Sequence, residues 1–237
     1  MLKFPSFIYL QNQKTGSTFV EEFLREHCSE PLLSYQKHAA LDSNPNCFCF
    51  TNIREPISLY RSLFAYGLDG RGGVYQRLCM NGFSGLYQKG PNGFIDWLEF
   101  MISSSKASIF ADHFSKQIAE SIGLMTWRYL RLACPNFEND APTLKGTEGY
   151  QKHYQEHNIL NAVIRQEHLT EDLKIIISGP LRHVLRNHNN ALDWISSSNS
   201  INSSVSSVAD IEVPDLLACQ VRAKEELLYN LHYSEHL

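Results

Sequence analysis

The sequence predicts an α/β fold of three layers, a central and mostly parallel sheet flanked by helices, in one domain over residues 1–237. Three apolar runs lead to it. Phe7–Leu10 (FIYL) and Cys47–Ile53 (CFCFTNI) are short, rich in aromatic and β-branched residues, and each leads into a helical pattern. Ile159–Ile164 (ILNAVI) is the third. Runs of this length and composition suit buried strands, and strand–helix–strand order is what parallel pairing through a crossover requires.

The first element carries the most chemistry. After Phe7–Leu10, the stretch Lys14-Thr15-Gly16-Ser17-Thr18 puts a cation, a glycine and three hydroxyls into one turn. Phe19, Val20, Phe23 and Leu24 then recur at helical spacing, with Glu21 and Glu22 on the polar side. A strand, a tight turn and a helix N-terminus build an anion site. The first helical N–H groups lack intrahelical acceptors, the macrodipole is positive there, and a lysine and hydroxyls add donors. The turn is not a Walker A loop, because the lysine precedes the glycine and no glycine lies upstream in the turn.

Pro31–Tyr35 is a candidate second strand, and Asp42–Asn46 is turn chemistry. Cys47–Ile53 then runs into Arg54-Glu55-Pro56, with Pro56 suited to the first turn of a helix. Arg54 falls at the carboxyl end of that strand, and Ser62 lies about two turns along the helix. Two strand-to-helix anion sites on one chain suggest a ligand with two separated phosphates.

These paired motifs resemble the sulfotransferases that use 3'-phosphoadenosine 5'-phosphosulfate (PAPS), closest in style to the carbohydrate-type members. The family's 5'-phosphosulfate loop is matched by Lys14, Thr15, Gly16, Ser17 and Thr18, and its 3'-phosphate site by Arg54, Pro56 and Ser62. Ile164–Leu169 resembles a later strand that ends in an acidic residue and leucine. The likeness spans residues 6–66 well and 115–175 loosely. It implies a P-loop-like fold with the sulfotransferase form of the loop, PAPS as donor, and 3',5'-ADP as product. It also implies that Lys14 stabilises the leaving phosphate oxygen, that residues 14–18 hold the 5'-phosphate, and that Arg54 and Ser62 hold the 3'-phosphate. Gln166 stands where some relatives carry a tyrosine near the adenine, so nucleobase contacts do not transfer to it.

An acceptor hydroxyl needs a general base, and His38 is the candidate, with Glu21 or Glu22 as rivals. Arg165 and Glu167 read as supports of the fold. No metal-ligand spacing is present in the sequence, and the acceptor, a glycan or a small molecule, is not readable. Two other readings stand beside this one. An ATP- or GTP-dependent phosphotransferase would need a Walker lysine and acidic metal ligands; a nucleotide-binding protein without catalysis would need no intact Lys14.

Downstream, Gly67–Gly93 is rich in glycine and aromatics, with a short helix expected around Tyr75–Met80. It reads either as an acceptor-facing segment or as an excursion with its aromatics packed inward. Phe94–Ile102 is an amphipathic helix, and Ile118, Ile122, Met125, Tyr129 and Leu132 mark one longer helix stopped by Pro135. Glu138–Tyr150 reads as a surface loop, Leu169–Ile177 and Leu181–Ile195 as helical, and Pro214–Leu231 as one capped helix. Between them, Ser196–Ser207 is a serine-rich run expected to form a flexible loop. The resembled family closes such a loop over the nucleotide; Asn202 and Ser203 fit that role, but the run contains no Arg or Lys.

With 43% hydrophobic and 19% charged residues the chain is ordinary for a globular protein, and its net charge of −4 argues against a general nucleic-acid or anionic-membrane surface. Any anion site must be local. No run approaches the roughly 18 apolar residues of a membrane span. No signal peptide precedes the first strand, so a cytoplasmic location is expected. The six cysteines are scattered and read as reduced and structural, with Cys47 and Cys49 on one side of their strand.

Overall fold

The computed structural model describes residues 1–197 and 208–234, so the serine-rich run lies outside the described residues from position 198 on. In chain order the first elements are β1 (Leu2–Lys3), β2 (Phe7–Leu10), α1 (Ser17–His27), β3 (Ser34–Tyr35), β4 (Phe48–Ile53), α2 (Pro56–Leu68), α3 (Gly73–Met80) and α4 (Phe94–Ile102). There follow α5 (Ala107–Phe110), α6 (Lys116–Ser121), α7 (Leu124–Ala133), α8 (Phe137–Asp140), α9 (Gly146–His157) and β5 (Ala162–Arg165). The last are α10 (Leu169–Ser178), α11 (His188–Ser197), α12 (Asp215–Lys224) and α13 (Glu226–His232). The chain divides into two compact units. One comprises Met1–Arg54, Leu132–Pro135 and His157–Ser203; the other comprises Glu55–Arg131, Asn136–Glu156 and Ser204–Leu237.

The first unit holds a five-stranded mixed sheet in the order β3-β1-β2-β4-β5. β2, β4 and β5 run parallel, with Tyr9 beside Phe50 and Phe50 beside Ala162. The two-residue β1 is antiparallel to both β2 and β3. Alternation along each strand sends neighbouring side chains to opposite faces. Phe7, Tyr9, Phe50 and Ile164 therefore meet Phe19, Val20 and Phe23 of α1, Leu173 and Ile177 of α10 and Ile195 of α11 in one core. Ile8, Leu10 and Cys49 face the other way, against Leu132 and Ile159. Each fully buried phenylalanine here contributes about 1.5–3 kcal/mol. The thiols of Cys49 and Cys134 are pushed up to about 12 by burial, which makes them packing residues rather than nucleophiles. No helix among the described residues is long and apolar enough to cross a membrane.

The second unit is helical, and it departs from the sequence expectations at its breaks. The single long helix expected from Ile118 to Leu132 is two, α6 and α7, because Ile122 turns extended (φ −138°, ψ 155°). At the break, a Cβ on Gly123 would lie 2.2 Å from Oε1 of Glu225. That carboxylate receives the N–H groups of Met125 at 3.1 Å and Thr126 at 2.7 Å, satisfying donors that open α7. Glu225 itself marks the point where the expected continuous helix Pro214–Leu231 divides into α12 and α13.

Two further expectations change. Glu138–Tyr150 is not a surface loop: α8, a 3-10 turn at Ala141–Thr143 and the start of α9 occupy it, and buried Tyr150 donates its hydroxyl to Ala141 O at 3.0 Å. In the first unit, Leu181–Ile195 is a 3-10 turn at Arg182–Val184 followed by α11, with Leu185 bridged to Cys28 in between. Gly67–Gly93 holds the short helix expected around Tyr75–Met80, as α3, followed by two 3-10 turns, and its Tyr75, Phe83 and Tyr87 are partly buried. Tyr87 stacks on Phe64 at 5.4 Å and accepts a 2.9 Å hydrogen bond from Trp97 Nε1.

Candidate functional site

Three chain segments of the first unit reach the carboxyl ends of parallel strands: the turn after β2, Arg54 after β4, and Gln166 after β5. In open α/β sheets this is the end at which ligands bind.

The turn after β2 is shaped by two left-handed residues, Lys14 (φ 61°) and Gly16 (φ 80°). Gly16 is the N-cap of α1, and as a glycine it offers the helix no side-chain cap; the first turn of α1 carries no acidic residue either. The N-terminal N–H groups of α1 therefore meet no anion supplied by the cap or the first turn. Phe19 and Val20 already donate to Gly16 O, at 3.1 and 3.5 Å. Ser17 is buried at the start of the helix, Thr18 is partly buried beside it, and Lys14 is partly buried in the turn.

A buried polar chain holds this turn in place. Tyr9 donates its hydroxyl to Asn52 Oδ1 at 2.7 Å, and Asn52 Nδ2 donates to Thr15 O at 3.3 Å. Thr15 Oγ1 donates to Asn12 O at 3.1 Å, so that hydroxyl serves the turn itself. Burial drives the Tyr9 phenol well above its ordinary value and keeps it a neutral donor. Neither Tyr9 nor Asn52 was singled out from the sequence. The signal was there in Asn52, an amide in the mostly apolar run of β4.

The candidate base is brought to the same turn. His38 Nδ1 lies 3.1 Å from Gln11 O, at the point where β2 gives way to the turn. A carbonyl only accepts, so Nδ1 carries the proton and the lone pair of a neutral ring falls on Nε2. The rival Glu21 is occupied: it accepts from Gln11 Nε2 at 2.6 Å, Arg25 Nε at 2.9 Å and Tyr35 Oη at 3.3 Å. Glu22 is exposed on α1. Arg165 is tied to Asp172 through its backbone N–H at 2.8 Å and Nε at 3.3 Å, the supporting role expected of it.

Gln166 approaches the turn most closely. A Cβ on Gly16 would lie 2.0 Å from Gln166 Oε1, so only glycine fits there. That oxygen is buried and has no hydrogen-bond partner.

Arg54 and Ser62 fall in different units. Arg54 closes the opening segment of the first. In the second, α2 opens with its N-terminus already served: Glu55 accepts from Ile57 N at 3.0 Å and Ser58 N at 2.6 Å, and the Tyr229 hydroxyl donates to the same carboxylate. A carboxylate of the chain itself thus fills the N-terminus of α2. Ser62 is buried two turns along α2. Among the described residues, no cluster of His, Cys, Asp or Glu could hold a metal ion.

The turn gathers a lysine, the N-terminal N–H groups of α1 and the hydroxyls of Ser17 and Thr18, donors of the kind that receive an oxyanion. Comparison with known proteins adds no relative: no family model, no curated protein and no solved structure matches the chain.

Proposed function

We propose that the chain is a P-loop-like sulfotransferase that moves a sulfuryl group from PAPS to a hydroxyl acceptor and releases 3',5'-ADP. The observation that carries the reading is the turn Lys14–Thr18. It joins a parallel strand to a helix whose cap and first turn supply no anion, beside the strand that Arg54 follows. Every residue used here lies in the first unit.

In this reading the N–H groups of the α1 N-terminus, with Ser17 and Thr18, hold the 5'-phosphate, and Arg54 pairs with the 3'-phosphate through its planar fork. PAPS supplies the transferable sulfuryl group. As the bond from sulfur to the bridging oxygen breaks, the Lys14 ammonium meets the charge left on that oxygen. As the bond from sulfur to the acceptor oxygen forms, His38 Nε2 takes the acceptor's proton. Charge stabilisation and alignment dominate such a transfer, and loss of the Lys14 charge costs ~2.7–4 kcal/mol by analogy with other oxyanion donors.

The test is calorimetric titration of the full chain with 3',5'-ADP, ADP and ATP, without metal, on wild type and Arg54→Ala. Tight binding of 3',5'-ADP alone, lost in Arg54→Ala, is the expected result. Equal or tighter binding of ATP, or no effect of Arg54→Ala, would end the sulfotransferase reading and favour a phosphotransferase.

A further inference from the structure

We infer that the Gln166 carboxamide is a ligand-binding group of the Lys14–Thr18 turn, one that donates a hydrogen bond from Nε2 to an oxyanion held there. The inference rests on reading that turn as an anion site.

Gln166 Oε1 is sealed from solvent and has no partner, while native proteins pair nearly all such atoms. What it faces is the backbone of Gly16, close enough that the oxygen would be 2.0 Å from a Cβ built there. The Cα–H groups of a glycine are weak donors and do not replace an N–H or O–H. An amide has two ends of nearly the same shape, an acceptor and a double donor. Turned about its last torsion, the group presents Nε2 to the turn in the space Oε1 now fills, and the unmet group becomes a donor. An anion on Lys14–Thr18 supplies the acceptor that the protein does not.

The location supports the same assignment. Gln166 follows directly on β5, whose partner β4 is followed by Arg54, and α10 begins three residues later at Leu169. Leu169 Cδ2 also lies 3.2 Å from the Gly16 Cβ position, so an apolar wall stands beside the carboxamide. A neutral donor set against such a wall gains strength from the low local polarity. The close approach also assigns a second reason for glycine at position 16, beyond its positive φ.

Inorganic sulfate is the probe, because it stays fully ionised across the pH range used. The full chain is titrated at constant ionic strength, followed by amide resonances, as wild type, Gln166→Leu, Gln166→Glu and, as a control for the turn, Lys14→Ala. At neutral pH Gln166→Glu is expected to weaken sulfate binding by about tenfold or more, because a charged acceptor replaces a donor, and Gln166→Leu by less. As pH falls and the introduced glutamate takes up a proton, its O–H becomes a donor and the Gln166→Glu deficit closes. Lys14, His38, Arg165 and Asp172 are common to wild type and both Gln166 variants, so wild type supplies their baseline. A merely structural role would not give this recovery. Sulfate binding unchanged in Gln166→Leu and Gln166→Glu, or a deficit that ignores pH, overturns the inference. A wild type that binds neither sulfate nor 3',5'-ADP overturns both this and the reading it rests on. Sulfate behaving as expected while 3',5'-ADP binds no better than ADP keeps Gln166 and removes the sulfotransferase.

Discussion

Thr126 meets the Glu225 carboxylate twice, its backbone N–H and its hydroxyl each 2.7 Å from Oε2. On the other oxygen, Tyr60 donates its hydroxyl at 2.8 Å and Met125 its N–H at 3.1 Å. The group is fully buried and joins α2, α7 and the α12–α13 break at one point. Replacing it by alanine strands these donors in the core, and unmet buried donors cost about 1–3 kcal/mol each. Glu225→Ala is therefore expected to lower the urea midpoint by the equivalent of roughly 3 kcal/mol or more. Glu225→Gln should fall between, since its NH2 faces a donor. A wild-type midpoint for Glu225→Ala would sink this account of the α6–α7 break.

The same carboxyl predicts a pH dependence. Burial raises its pKa from the ordinary 4.5, and the hydrogen bonds from Thr126, Tyr60 and Met125 offset this only in part. Between 4.5 and the raised value the folded chain holds a proton that the unfolded chain has lost. The contribution is then present below 4.5 and is lost as pH rises through the folded pKa. Arg128 and Lys224 lie within electrostatic reach of it, so the comparison must be with a variant that keeps both. The difference in unfolding free energy, wild type minus Glu225→Gln, should shrink as pH rises across that window. A flat difference would contradict the raised pKa.

Gly16 and Gln166 should be energetically coupled. An alanine at φ 80° costs about 1–2 kcal/mol from backbone strain alone, and its Cβ would also collide with Gln166 Oε1. Gln166→Ala removes the collision and leaves the strain. The double variant is expected to be less destabilised than the sum of the singles, as read by urea unfolding. Strict additivity would mean that the two residues do not touch in solution.

What the sequence disclosed and what it hid follow from range. β2 and β4 were legible because apolar runs meet a lysine–glycine turn and a proline, both local signals. The helix Phe94–Ile102 agrees at both ends for the same reason. The α6–α7 break was hidden because Glu225, remote in sequence, takes its N–H groups, and the α12–α13 break because its cause at Glu225 lies in those distant partners; an apolar spacing reads straight through both. β1 and β3, two residues each, are too short to carry a period. In the site, Lys14–Thr18 and His38 were legible by type. Gln166 was not, because only the parallel pairing of β4 with β5 brings it to Gly16.

His38 offers the last test, and it needs no acceptor. The residue takes a left-handed backbone (φ 59°) and faces the Gln11 carbonyl through Nδ1 at 3.1 Å. That hydrogen bond requires the proton on Nδ1 and leaves Nε2 as the basic atom. Nitrogen-15 spectra of the imidazole at neutral pH should show the Nδ1–H tautomer, and a proton on Nε2 would remove the base from the proposed mechanism. His38→Asn tests the role further. Asparagine tolerates the left-handed backbone, and its amide can still donate to Gln11 O. The fold and sulfate binding should therefore survive, while transfer to an acceptor falls by about 10²–10⁴, the worth of a positioned general base. Unchanged transfer in a folded His38→Asn chain would shift the search for the base away from this histidine, and occupied Glu21 would not be the first place to look.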